Sequence, residues 1–332
     1  MTASARRREL QVPPDWQAAA AEIFERRLRT ILVIGVAAVG KSSFCSYLSE
    51  ALLARSAEVA FVDADIGQSN LGPPATVTLG YPVLPVYLST VPPAAYYFVG
   101  STGPMGRFLP LVIGTASLAR EARTQFVIID TTGLVHESGR VLKNYKIEAV
   151  RPDAIVMLER RNELAPIRVA NRHLPIIKIN SSHKAHRKED YEKIEARRQS
   201  YAQHFSGSTA LRFPLDSLNF QRTLLLTGKP IQVDGAIHAE QTPDGILAVG
   251  TPSAPPPGSK VLPPGFERSL LYGIAGANGR CLGLGIIEQI DFAGRTIALN
   301  TPVEHDKVRI VQFGDVYVTP EGGELGQIKW AW

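Results

Sequence analysis

Cysteine is nearly absent from this chain: Cys45 and Cys281 are the only two in 332 residues, and they lie far apart. That excludes a disulfide framework and a CxxC metal site, and it suits a reducing, cytosolic setting. A signal peptide is not apparent either, since Arg6, Arg7 and Arg8 are followed by a mixed polar segment and not by an apolar stretch. No apolar run is long enough to cross a bilayer, so no membrane partner is expected and the expected location is cytoplasmic. The sequence also lacks internal repeats, long low-complexity tracts and Cys/His clusters of metal-binding spacing. Charged residues at 20% and hydrophobic residues at 45% exclude a disordered chain, and the length suffices for two folded units. The formal net charge of +5 is compatible with a polyanionic ligand, but its distribution is more informative, because basic residues gather between Lys178 and Arg198.

What is present begins with Thr30-Ile-Leu-Val-Ile-Gly35, a short apolar, β-branched run of the kind that forms a strand buried on both faces. Similar runs at 59–63, 95–100, 125–130, 154–158 and 175–179 are separated by stretches long enough for crossover helices, as at 107–123 and 141–149. This alternation predicts an α/β fold with a mostly parallel sheet flanked by helices. After about residue 230 the texture changes. The stretch 251–260, with Pro255, Pro256 and Pro257 in a row, reads as a stiff non-helical connection. Beyond it, the turn dipeptides Asn278-Gly279 and Ala293-Gly294 sit among apolar runs at 270–275, 281–287 and 295–300, the pattern of hairpins. The expected organisation is an N-terminal extension over 1–28, a nucleotide-binding domain over 29–229 and a small β-rich C-terminal domain over 230–332.

Between the first strand and the following helix lies Gly35-Val36-Ala37-Ala38-Val39-Gly40-Lys41-Ser42, followed by Ser43. A triphosphate needs many hydrogen-bond donors at close range, and a glycine-rich loop entering a helix supplies backbone N–H groups together with a favourable dipole. Gly35 and Gly40 permit the tight loop, Lys41 brings positive charge to the β- and γ-phosphates, and the Ser42 hydroxyl suits Mg2+. The strand–loop–helix setting separates this P-loop from a chance glycine-rich turn, and it makes the sheet one of P-loop NTPase type. ATP and Mg2+ are the expected cofactors. In Phe61-Val-Asp-Ala-Asp-Ile-Gly-Gln68, Asp63 and Asp65 end the second strand, where carboxylates face the ligand crevice of open α/β sheets. The alternative is that one of them only caps a turn or helix, which is common for Asp and is expected of Asp63 more than of Asp65. The run Phe126-Val-Ile-Ile-Asp-Thr-Thr-Gly133 ends a strand in Asp130, as a Walker B acid supporting magnesium does, the alternative being a strand-end cap. The Asn/Thr-Lys-x-Asp signature that reads guanine is missing from Ile179-Asn-Ser-Ser-His183.

Taken in order, Lys41-Ser-Ser-Phe-Cys45, Asp63-Ala-Asp-Ile-Gly-Gln68 and Tyr96-Tyr-Phe-Val-Gly-Ser-Thr-Gly-Pro104 resemble the polynucleotide 5′-hydroxyl kinases of pre-rRNA processing, tRNA splicing and mRNA 3′-end formation. The resemblance covers most of the chain. It implies that Asp65 activates the substrate hydroxyl and that Gln68 joins the magnesium or phosphate shell, so that Ser42, Asp65, Gln68 and Asp130 are the expected metal-site residues. It also implies that Thr102, Gly103 and Pro104 belong to a clasp around phosphates and substrate. A helical lid is implied over residues 184–205, with Arg197 and Arg198 as its leading cations and Lys193 and Arg187 as further candidates. The same stretch also reads as a solvated charged helix with i,i+4 pairs. Where several members carry Gly-Trp, this chain has Gly133-Leu134, so an aromatic platform for a terminal base is not in that place. Only residues 1–28 precede the first strand, without the separate N-terminal domain of the mRNA-processing branch, and Leu282-Gly-Leu-Gly-Ile-Ile-Glu-Gln-Ile-Asp291 resembles the rRNA-processing and archaeal branch.

The implied reaction moves the γ-phosphoryl of ATP to the 5′-hydroxyl of RNA or DNA, with a nucleic-acid end as the partner and no protein partner indicated. The competing reading is a P-loop ATPase or GTPase that serves a processing complex or matures a metalloenzyme without 5′-kinase activity. Tyr81, Tyr87 and Tyr145 are candidates for base stacking, with core or surface filling as the plainer reading. His183, His186 and His204 have no metal-ligand pattern and read as surface residues.

Overall fold

Side chains along the strand at 30–35 alternate between two cores, as the period of two in a strand requires. Ile31 and Val33 join Trp16, Phe44, Leu48, Phe61 and Ile128 on one face, whereas Leu32 and Ile34 join Val62, Leu111, Ile129 and Leu142 on the other. The computed structural model describes residues 12–181 and 189–328. Residues 184–188 of the expected lid, Arg187 among them, lie outside the described residues, as do His183 and His186.

The first half of the chain runs α1 (Pro14–Glu25), β1 (Thr30–Gly35), α2 (Lys41–Leu53), β2 (Val59–Ala64), β3 (Thr76–Gly80), β4 (Pro93–Phe98), α3 (Phe108–Glu121), β5 (Phe126–Thr131), α4 (Ser138–Val150), β6 (Ala154–Glu159), α5 (Ala165–Ala170), β7 (Ile176–Asn180) and α6 (Asp190–Phe205). Strands pair in parallel in the order β2-β5-β1-β6-β7. The α/β expectation is met, with one correction. The run expected as another parallel strand at 95–100 is β4, which pairs antiparallel with β3, itself antiparallel to β2. No helix stands between β2 and β3, so the chain cannot cross over and must return beside the strand it has just left. The segment read as an N-terminal extension contains α1, whose Trp16, Ala19, Ala20 and Ile23 are buried at helical spacing. Trp16 meets Phe44 edge-on at 5.4 Å, and Asp15 accepts the Asn180 N–H at 2.7 Å, so this helix covers one face of the parallel sheet.

The second half is β8 (Thr209–Pro214), β9 (Asn219–Gln221), β10 (Lys229–Pro230), β11 (Ala236–Thr242), β12 (Gly245–Gly250), β13 (Lys260–Leu262), β14 (Leu270–Ala275), β15 (Cys281–Asp291), β16 (Thr296–Thr301), β17 (Ile310–Val318) and β18 (Glu324–Gln327). Both expected hairpins form, β14 with β15 and β15 with β16. β10 to β13 make a separate four-stranded sheet. β8 pairs with β16 and β9 with β17, so residues before 229 already belong to the β-rich assembly. A bridge between Cys281 of β15 and Tyr96 of β4 continues the main sheet from one half into the other.

Helix α6 is tied into that junction. Its exposed first turns carry the pairs Lys193–Asp190 and Arg198–Glu195, while Tyr201 and Phe205 near its end are buried with Phe98, Leu271, Leu284 and Val316. Burying two such aromatic side chains contributes roughly 2–3 kcal/mol each. His204 corrects the surface reading: its Nε2 accepts the Leu284 N–H at 3.0 Å and its ring meets Tyr96 edge-on at 6.0 Å. Burial pulls its pKa down to about 4. The folded protein therefore holds this imidazole neutral where the unfolded chain, with an ordinary value near 6.5, takes up a proton. The resulting stabilisation is complete above pH ~6.5 and is lost as pH falls towards ~4, on the order of 3 kcal/mol in all. Thermal melts between pH 7 and 5 should show the wild type losing more stability than His204→Gln; parallel curves would refute this.

Candidate active site

β2, β5 and β1 lie side by side, so the segments leaving their C-terminal ends meet. From β1 comes the P-loop, residues 35–42. Gly40 adopts a left-handed conformation at φ 97°, and a side chain at Gly35 would meet the Leu158 carbonyl at 2.7 Å. Only glycine suits either position. α2 starts at Lys41 with no side-chain cap, leaving its first N–H groups without intrahelical acceptors. Lys41 is buried and donates to the Val36 carbonyl at 3.0 Å, which places its ammonium across the mouth of the loop. Ala37 and Ser43 are exposed at the rim, Ala38 is half-buried, and Val39 is turned into the core.

Asp63 and Asp130 stand opposite each other in the β2–β5 register and are both buried. Burial raises the pKa of both; their proximity adds to this at Asp63, while the Lys41 ammonium and the Ser42 hydroxyl oppose it at Asp130. Their other contacts differ. Asp63 accepts from the backbone of Asp65 at 3.0 Å, Asn70 at 2.6 Å and Leu71 at 3.1 Å, so it organises the loop in the capping role its position suggested. Asp130 accepts from Ser42 Oγ at 2.6 Å, which joins the ends of β5 and the P-loop. Asp65 remains half-buried and accepts, through one oxygen, the N–H groups of Gly67 at 3.3 Å and Gln68 at 3.2 Å. Both bonds go to the same oxygen, Oδ1.

Gln68 donates to the Gly67 carbonyl at 2.7 Å, and its Oε1 is buried without a partner. A buried orphan acceptor is costly, so this oxygen is suited to a ligand that the protein itself does not supply. Among the described residues no group of three His, Cys, Asp or Glu side chains is arranged to hold a metal. The donors present are a hydroxyl (Ser42), a carboxylate (Asp130) and an amide oxygen (Gln68). The Ser42–Asp130 pair, which is in direct contact, fits Mg2+, which takes one or two protein ligands and completes its shell with phosphates and water; the Gln68 oxygen is chemically suited as a further acceptor.

The expected clasp, Gly100 to Pro104, follows β4. Gly100 has φ +91°, and a side chain on Gly67 would meet the Thr102 carbonyl at 2.7 Å, so the clasp rests directly on the acid loop. Thr102, Gly103 and Pro104 are half-buried. The C-terminal strands brace these parts. Gln327 of β18 donates to Thr102 Oγ1 at 3.4 Å, and Arg107, just past the clasp, forms a two-point ion pair with Asp315 of β17.

Arg197 and Arg198 are separated by the structure. Arg197 donates to both oxygens of Glu324 at 2.7 and 2.9 Å and lines a small gap with Gln68 and Ser69. Arg198 pairs with Glu195 on the same helix, 2.7 Å to each oxygen, and is exposed. Lys193 pairs with Asp190. Tyr81, Tyr87 and Tyr145 are exposed, and Leu134 is half-buried. Beside the acid loop, between α6 and the β15–β16 hairpin, a cavity of about 750 Å³ is lined by Ser69, Asn70, Tyr96, Gln203 and His204. Lys307 and Glu304, which also line it, pair with each other at 2.7 Å.

Three residues escaped the sequence reading. Arg160, after β6, donates to the Ala38 carbonyl of the P-loop at 2.7 Å. Lys143 and Lys146 of α4 are fully buried next to the acids. Burial lowers the pKa of both, to about 7 at Lys146, with the neighbouring carboxylates opposing the shift. The signal was there: Leu142, Lys143, Lys146, Ile147 and Val150 form one stripe at helical spacing, which places the lysines on the face that must be covered.

A family model described as the P-loop of the mRNA cleavage and polyadenylation factor CLP1 matches residues 35–207, more than half of the chain. The chain belongs to the CLP1 P-loop family. Relatives cover more than nine-tenths of it. The polyribonucleotide 5′-hydroxyl-kinase of Pyrococcus furiosus is 34% identical over 95% of this chain and 95% of its own. Proteins of the same name from Pyrococcus horikoshii and Methanocaldococcus jannaschii are 31% and 30% identical, over 95% and 91% of this chain and 93% and 90% of theirs. Among solved structures, Clp1p in its complex with Pcf11p shares the fold, with a TM-score of 0.61 at 13% identity, over 90% of this chain and 78% of that one. In this CLP1-family chain the matched region ends at residue 207, just after α6, so P-loop, acid loop, clasp and lid helix all fall inside it.

Proposed function

We propose that this protein is an ATP-dependent polyribonucleotide 5′-hydroxyl kinase. The observation that carries the reading is the meeting of the P-loop, the Ser42–Asp130 pair and the Asp65 loop at three adjacent strand ends. The full-length similarity to archaeal proteins named for that activity supports it. Phosphoryl transfer has a loose transition state, so the protein mainly aligns two oxygens and neutralises charge. The P-loop amides and Lys41 hold the β- and γ-phosphates. Ser42 and Asp130, with Gln68 as a further acceptor, would hold Mg2+, which would supply neutralisation of phosphate charge. Asp65 accepts the proton of the 5′-hydroxyl as its oxygen bonds to the γ-phosphorus and the bond to the β–γ bridging oxygen breaks. Thr102 to Pro104 confine the acceptor from the clasp side. The acceptor is an RNA end, and the site of action is cytoplasmic.

Arg197 is the lid cation in this reading, because it stands beside Gln68, whereas Arg198 faces outward. Reaching a phosphate requires Arg197 to leave Glu324, which offsets part of its gain. Arg197→Ala is therefore expected to lower kcat by about 100-fold, at the lower end of single-donor effects, and Arg198→Ala to change it by less than about threefold. The test is transfer of labelled γ-phosphate to matched RNA and DNA oligonucleotides with 5′-hydroxyl ends. Nucleotide hydrolysis without any phosphorylated oligonucleotide would favour the ATPase or GTPase reading instead.

A further inference from the structure

Lys143 and Lys146 take no part in the reaction as derived, yet both are fully buried. A buried ammonium is costly unless hydrogen-bonded, and an apolar side chain would fill the same stripe of α4 without that cost. Their partners therefore indicate what they contribute. Lys143 Nζ donates to the Thr132 carbonyl at 2.6 Å and to its hydroxyl at 3.1 Å. Thr132 follows the Walker B acid by two residues, and the next residue, Gly133, lies so close to the P-loop that an added Cβ would come within 2.5 Å of the Ala37 nitrogen. Lys146 Nζ lies 3.5 Å from the carbonyl of Ala64, the residue immediately before Asp65. One turn of one helix thus touches two different strand ends. Lys143 braces the end that presses on the phosphate cradle, and Lys146 braces the end that carries the acceptor-activating carboxylate.

We propose that Lys143 and Lys146 are positioning residues that set the spacing between the two halves of the reaction, Lys143 on the nucleotide side and Lys146 on the acceptor side. The division of labour follows from the contacts. Asp65 has only two backbone N–H groups of its own loop to orient it, so the carbonyl before it is where a displacement enters. A shift of about 1 Å at a reacting group can cost about 100-fold in rate. Gly133, by contrast, abuts the P-loop at Ala37, so loosening the Thr132–Gly133 segment disturbs triphosphate binding first.

This inference rests on the kinase reading and is tested with Lys146→Met and Lys143→Met, which keep the length of the stem and remove the amine. Two quantities are measured on the full chain: the Kd of a fluorescent ATP analogue, and kcat for transfer to a 5′-hydroxyl RNA oligonucleotide at saturating ATP. Lys146→Met should lower kcat by about 100-fold with Kd changed less than threefold, and Lys143→Met should weaken Kd by about tenfold or more. If both variants lose nucleotide binding, kcat and melting temperature together, the lysines only support the fold and the proposal fails. It fails equally if neither variant alters transfer. Should a methionine variant not fold, Lys146→Gln and Lys143→Gln are judged by the same split, and a failure of all four to fold overturns the proposal. Absence of labelled RNA with the wild type would sink the kinase reading itself, while the Kd arm would still report on Lys143.

Discussion

Lys41→Met is expected to lower kcat/KM for phosphoryl transfer by about a thousandfold while the protein stays folded. Methionine matches the length of the lysine stem, and position 41 is buried at the start of α2, so the packing of the P-loop survives. What disappears is the single ammonium that bridges the mouth of the loop, where it now donates to the Val36 carbonyl. With a triphosphate in place, that charge faces two phosphates whose negative charge increases towards the transition state. Removing one aimed donor costs about 100- to 1000-fold, and this donor also carries a full charge in a site shielded from water. The check is labelled transfer to an RNA 5′-hydroxyl alongside a thermal melt. Activity within tenfold of the wild type would mean that the loop does not hold the reacting phosphates.

Asp65→Asn should lower kcat by about 100- to 10,000-fold and leave ATP binding in place, the range for loss of a general base. Asparagine is nearly isosteric and its carbonyl oxygen still accepts from Gly67 and Gln68, so the loop keeps its shape. The second carboxylate oxygen becomes an NH2 group, which cannot accept the proton of an incoming alcohol. Equilibrium binding of a fluorescent ATP analogue and single-turnover transfer separate the two effects. A variant that loses nucleotide affinity in step with rate would assign Asp65 to the cradle and not to the acceptor. Asp63, two residues earlier, has no free oxygen for this task, because its carboxylate is committed to the backbone of Asp65, Asn70 and Leu71.

Much of this architecture was legible in the residues. The P-loop, the strand ending in Asp130 and the two C-terminal hairpins all appear where the pattern predicted, because each depends on local requirements: a left-handed glycine, a β-branched run, a short glycine-containing turn. The misreadings have a shared origin. Strand β4 shows the same apolar run whether its neighbour is parallel or antiparallel, and only the missing crossover between β2 and β3 decides the direction. Helix α1 looked like an extension because its apolar residues are mostly alanines, and their value emerges only where α2 offers Phe44 to Trp16. The Lys143–Lys146 stripe was passed over because a charge on a helix is ordinarily solvated.

By itself the sequence determined the chemistry that can be written on one strand and the loop that follows it: backbone amides and a lysine for phosphates, a hydroxyl and acids for a cation, a carboxylate for an alcohol. Which groups face one another was decided only by the tertiary structure. Pairing β2 with β5 sets Asp63 across from Asp130, and β18 draws Arg197 towards Glu324. Covering the sheet with α4 brings two lysine amines behind the acids. The reason is physical: a backbone conformation is chosen by its own few residues, whereas the partner of a buried charge is whatever distant segment folding places beside it, and no local pattern encodes that choice.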